Sequence, residues 1–113
     1  MPEGGFRTHG LVLLTRVVGA ARTPEELESL LTEVWTPGEI RDAAQRVEVA
    51  AQLLEGSTYE AIAQQTGAST ATISRVRRSL ERGTGMLERS LQRIGRAGVH
   101  YARRHWASGG IVD

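Results

Sequence analysis

Between residues 71 and 78 the sequence ATISRVRR sets out a surface suited to nucleic acid. On a helix advancing about 100° per residue, Ile73, Val76 and Leu80 share one face, while Ala71, Ser74, Arg75 and Arg78 look the other way. The outward set is small, hydroxylated and basic. Short side chains allow close approach to base edges, hydroxyls donate and accept, and guanidinium groups grip phosphates and guanine. Arg77 and Arg82 add positive charge on the same segment, and Ser69 stands at its start.

Such a surface is useful only if a second element holds it out. The stretch 58–80, TYEAIAQQTGASTATISRVRRSL, supplies one. Ala61 and Ile62 precede Gly67, and Ile73, Val76 and Leu80 follow it, where two short crossing helices would meet. Gly67 suits a tight turn that needs positive φ, and Ser69 offers an N-cap oxygen to the second helix. The pattern is a helix-turn-helix over residues 58–80. Two helices packed for structure alone would share the turn and the apolar positions but would not need the basic face.

Upstream, the chain reads as a series of capped helices. Residues 8–22 place Leu11, Leu14, Val18 and Ala21 on one face, with Gly19 weakening the end. Thr23-Pro24-Glu25-Glu26 opens a second helix, with Thr23 as cap, Pro24 in the first turn and Glu26 reaching back to the cap amide. Its stripe is Leu27, Leu30, Leu31 and Val34. Thr36-Pro37-Gly38-Glu39 repeats the signal, and Trp35 and Ile40 are spaced as a hydrophobic staple. The third helix is expected to run to about Glu55, with Ile40, Ala43, Ala44, Val47, Ala50, Ala51 and Leu54 on its apolar side and Gly56 as terminator. Ser57 and Glu60 read as the capping box of the next helix. Residues 83–85 predict a bend, and MLERSLQRI at 86–94 resumes helical spacing. Residues 1–7 read as a flexible terminus, 8–98 as a single helical domain, and 99–113 as a basic and aromatic tail that could dock on a partner subunit, touch nucleic acid or stay disordered.

Composition narrows the function. With 113 residues there is room for one modest core, and aromatic residues are only 4% of the chain. The core must therefore be aliphatic, and small aliphatic cores favour sharing between subunits. The absence of cysteine excludes disulfides and thiolate metal sites and suits a cytoplasmic protein. Leu11 to Leu14 is too short to cross a bilayer, and Arg16 interrupts the one stretch resembling a signal peptide. His9, His100 and His105 are scattered, so neither a metal site nor an enzyme is expected. All 14 basic residues are arginine. Residues 23–68 hold nine acids and two arginines, a net of −7, whereas residues 69–104 hold nine arginines and two acids, a net of +7. That division makes one strongly positive surface; it also fits pairing between the halves of two subunits.

From Thr23 to about Met86 the chain resembles the Trp-repressor superfamily, and most closely its YerC/YecD-type branch. The resemblance rests on TPGEIRDAAQRVEVAAQLLEG and on TYEAIAQQTGASTATISRVRRSL, within which GASTATISRV is the most specific run. It implies an all-α fold, a Trp-repressor-like multi-helical bundle that forms an intertwined homodimer with two projecting helix-turn-helix heads. It also implies half-sites about 34 Å apart on double-stranded DNA. Carried over by position, Thr70, Ala71 and Ser74 face the bases. Arg46 and Arg75 match the arginines that sandwich the indole in the tryptophan-responsive repressor, and Thr36 and Ser79 match positions lining that pocket. Val76 stands where the tryptophan-responsive proteins carry glycine, and its branched side chain takes up space the indole needs. Tryptophan is thus not expected as the effector and no cofactor is expected; another amino-acid effector stays open.

Together these readings predict a sequence-specific DNA-binding transcriptional regulator, a repressor, acting as a homodimer. Thr70, Ala71 and Ser74 would read bases, while Ser69, Arg75, Arg77, Arg78 and Arg82 would hold phosphates. The alternative is a protein-interaction module that keeps the fold without binding DNA. Glu60 beside the reading head, which would repel phosphate, speaks for that alternative.

Overall fold

The computed structural model describes residues 8–95, and every regular element in that range is helical. The helices are α1 (His9–Gly19), α2 (Pro24–Val34), α3 (Pro37–Leu54), α4 (Tyr59–Thr66), α5 (Thr70–Arg82) and α6 (86–95). The expectations for residues 1–7, for the end of the helical domain at 98, and for the tail at 99–113 with His100 and His105 lie outside the described residues. No described helix is long and apolar enough to cross a membrane. The chain falls into two compact units that divide between Arg41 and Asp42, within α3.

In the first unit, helix ends follow hydroxyl caps. The Thr8 side chain accepts from the Leu11 amide at 3.2 Å and starts α1, which stops at Gly19 rather than running to residue 22. Thr23 Oγ1 accepts from Glu26 N at 3.1 Å. The return bond differs from expectation: Glu26 Oε1 accepts from Arg22 N, at 2.8 Å, one residue ahead of the cap. Thr36 and Glu39 make the complete reciprocal box, with Glu39 N to Thr36 Oγ1 at 3.1 Å and Thr36 N to Glu39 Oε1 at 2.9 Å. Two of the four backbone donors a helix start leaves open are thereby met. Trp35, half-buried, closes α2 by donating its amide to the Leu31 carbonyl at 2.9 Å. Neither α1 nor α2 holds a buried residue.

The second unit holds the core. Val49, Ala50, Ile62, Ala68, Ile73, Val76 and Leu91 form its buried cluster, with Leu53, Tyr59, Leu80 and Leu87 packed against it. On α3 the buried face is Val49, Ala50 and Gln52. The face expected from apolar spacing is therefore rotated: Val47 and Leu54 on the expected stripe are exposed, and Val49 and Gln52 off it are buried. The reason is tertiary. The helix-turn-helix packs against 49–53, and Gln45 Nε2 donates to the Thr66 carbonyl at 3.0 Å and ties α3 to the end of α4.

The junction of α3 and α4 corrects a second expectation. Gly56 has φ of 86°, its amide donates to the Leu53 carbonyl, and the Ser57 amide donates to the Gln52 carbonyl, both at 3.0 Å. This paired closure is the Schellman ending of α3. Ser57 is thus the last residue of the α3 ending, and the cap of α4 passes to the next hydroxyl, Thr58, which accepts from Ala61 N at 3.1 Å. Glu60 is not part of a capping box.

Candidate nucleic-acid interface

The reading head is built by local bonds around one turn. Gly67, with φ of 74°, ends α4 in the left-handed geometry only glycine adopts freely. Thr66 Oγ1 donates to the Ile62 carbonyl at 2.8 Å and accepts from Ala68 N at 2.9 Å, so one hydroxyl braces both sides of the turn. Ala68 then drops into the core, 5% exposed, a buried turn residue that helical periodicity does not flag. Ile62 and Ile73, both at 0% exposure, lock α4 to α5 across the turn, with Val76 beneath them. With that side of α5 fixed inward, its opposite side faces solvent.

Thr70, Ala71, Arg75, Arg78 and Arg82 are all exposed. Among the described residues, Arg75, Arg78 and Arg82 make no hydrogen bond or ion pair, so their guanidinium groups are free for anions. The other expected contacts are already engaged. Ser69 Oγ accepts from Thr72 N at 3.1 Å as N-cap and donates to Thr72 Oγ1 at 3.1 Å. Arg77 pairs with Glu81 at 3.3 Å, its Nη1 donates to Tyr59 Oη at 3.4 Å, and its charge lies 6.0 Å from the Tyr59 ring centroid. Ser74 is half-buried and also shares a hydrogen bond with Tyr59. No local pattern in the sequence marks Tyr59, because its partners lie 15 and 18 residues away. The Arg77 hydrogen bond, then that of Ser74, holds the Tyr59 phenol below its ordinary range. The two helices of the head are thus joined on one flank by a polar cluster of Tyr59, Ser74 and Arg77.

The four residues expected to line an effector pocket are placed as follows. Thr36, in the first unit, spends its hydroxyl on the α3 cap. Arg46, Arg75 and Ser79, in the second, are exposed. Val76 is 5% exposed within the core cluster, where its branched side chain is packing material. Among the described residues no three His, Cys, Asp or Glu gather as metal ligands.

Comparisons with known proteins agree with this geometry. The family model described as Trp repressor protein matches residues 9–95. An uncharacterized protein, YerC, of Bacillus subtilis (strain 168) is 49% identical over 70 residues, covering 62% of this chain and 67% of that protein. The crystal structure of a TrpR like protein from Eubacterium eligens ATCC 27750 matches with a TM-score of 0.77 at 39% identity, covering 82% of this chain and 96% of that one.

Proposed function

The chain belongs to the Trp repressor family, a helix-turn-helix regulatory family and not an enzymatic one, and on that premise we propose that it is a sequence-specific transcriptional repressor that binds double-stranded DNA in the cytoplasm as a homodimer. Each subunit lays α5 into the major groove. The observation that carries this reading is the solvent face of α5, where Thr70 and Ala71 stand open beside Arg75 and Arg78, two arginines without intramolecular partners among the described residues. Thr70, Ala71 and Ser74 read bases, with water bridging the short side chains. Arg75, Arg78 and Arg82 hold phosphates. Arg77 contributes less to that electrostatic grip, because Glu81 already offsets its charge. Tryptophan does not serve as effector, since Val76 fills the core.

Binding to duplex DNA, measured by mobility shift against salt, tests the proposal. Arg78→Ala weakens binding to all sequences alike and flattens the logarithmic salt slope by about one unit, whereas Arg77→Ala leaves the slope nearly unchanged. Selection of bound duplexes from a random pool then returns the operator. Glu60, exposed in the first turn of α4, favours the second reading, a protein-interaction module. Failure to shift any duplex at low salt would decide for that module.

A further inference from the structure

Arg77 is set apart from the other arginines of α5 by position as well as by partners. It lies about 100° round the helix from Arg78 and only about 40° from Ile73, which is fully buried. Its side chain crosses to α4, where Nη1 donates to Tyr59 Oη at 3.4 Å and the guanidinium carbon stands 6.0 Å from the ring centroid. On its own helix, Nε meets Glu81 Oε2 at 3.3 Å. Arg77, Tyr59 and Glu81 together line an open cavity of about 530 Å³ whose other walls include Leu53 and Leu54 of α3. The charge is thus drawn toward the α3 side of the head, off the face that carries Ala71, Arg75 and Arg78.

Tyr59 is a fixed anchor for that charge. It stands in the first turn of α4, half-buried, and packs against the core cluster. A guanidinium has only donors to offer, so the phenol oxygen accepts. The ion pair by itself is weak, because the two side chains are 58% and 63% exposed. The hydrogen bond and the ring–cation contact with Tyr59 add to it. Three modest contacts on one side chain make a restraint strong enough to bias where Arg77 sits, and weak enough to be removed without disturbing the fold.

We propose that Tyr59 is a positioning residue that, together with Glu81, withholds Arg77 from the DNA backbone and so holds down the sequence-independent part of the affinity. This rests on the reading that α5 binds duplex DNA. Phosphate contacts carry no base information, so one more free arginine would tighten the grip on random and operator sequences alike and lengthen the time spent at wrong sites. The head leaves Arg75, Arg78 and Arg82 to phosphate and uses Arg77 to join its two helices.

Two measurements test this, one of them without DNA. In Tyr101→Phe, Tyr59 is the sole phenol, and an absorbance titration shows it ionising below the ordinary tyrosine range because Arg77 and then Ser74 hydrogen-bond to it. Adding Arg77→Ala moves that titration upward. A phenol that titrates in the ordinary range, or that ignores Arg77→Ala, overturns the proposal whatever the chain binds. The second measurement is binding to a random duplex. Tyr59→Phe combined with Glu81→Gln, which keeps the ring and leaves helix content unchanged by circular dichroism, tightens binding about three- to tenfold and steepens the logarithmic salt slope by about one unit. In an Arg77→Ala background the same two substitutions leave the slope where it was. Unchanged binding in the first background, or an equal gain in both, which the lost repulsion of Glu81 alone would give, overturns the proposal. The two readings fail differently: if the wild type binds no duplex, DNA binding falls and the proposal with it, whereas if the wild type binds and the substitutions do nothing, only the proposal falls.

Discussion

Single side chains in this head do different work from what their type suggests. Arg75, Arg77 and Arg78 look equivalent in sequence, but only Arg77 is tied, to Glu81 and Tyr59. Which arginine would be tied was not legible, because a tyrosine 18 residues upstream decides it. The same holds for Glu48 on α3, whose burial no spacing in the sequence marks. One of its carboxylate oxygens is buried without a hydrogen-bond partner, and burial pushes its pKa up to about 8. Gln52, one turn further along α3, likewise buries an unpartnered Nε2. Glu48 is then neutral in the folded chain at a pH where the unfolded chain has lost the proton. Its unfolded value is 4.5, so the folded state binds one more proton between there and about 8, and stability falls as pH rises through that window. Thermal melts from pH 5 to 8 should show the wild type losing stability and Glu48→Gln staying nearly flat by comparison. Equal slopes for the two proteins would mean that Glu48 is charged and solvated at neutral pH.

At the scale of elements, legibility followed the range of the determining contacts. The Thr23, Thr36 and Ser69 caps and the Gly67 turn were legible because the hydroxyl, the amide and the left-handed glycine all lie within four residues of one another. The start of α4 was misplaced by one residue because two local signals compete. Ser57 and Thr58 both carry cap hydroxyls, and the Schellman ending of α3 claims the first. The buried face of α3 differs from its apolar spacing for the opposite reason: spacing marks Val47 and Leu54, yet α4 and α5 pack on Val49, Ala50 and Leu53. Substitution distinguishes the two hydroxyls. Thr58→Ala should cost about 1 kcal/mol in denaturant unfolding, the usual worth of an N-cap, while Ser57→Ala should cost a few tenths at most. A larger loss at Ser57 than at Thr58 would return the cap to the position expected from the sequence.

At the scale of the molecule, charge and burial are both divided along the chain. The net of −7 over residues 23–68 and of +7 over 69–104 leaves α5 as the positive pole, a field that draws a polyanion toward the reading face. Burial is divided as sharply. Among the described residues, all seven buried hydrophobic ones lie in the second unit, whereas α1 exposes Leu11, Val12, Leu13 and Val17. Two helices of eleven residues without a buried side chain are not stable alone, since helices this short depend on tertiary packing. In the proposed homodimer a second copy of the chain would offer such packing through its own exposed aliphatic residues, Val47 and Ile94 among them, and folding would then be linked to concentration. The homodimer of the proposed function thus has a thermodynamic signature apart from DNA. The wild type should sediment as a dimer and melt at a temperature that rises with protein concentration. Leu13→Glu places a charge at a position already 64% exposed in the single chain, where it costs little unless a partner covers it. It should therefore shift sedimentation toward monomer and lower the melting temperature. If Leu13→Glu leaves both unchanged, α1 does not lie in the dimer interface and its aliphatic residues serve the fold of one chain alone.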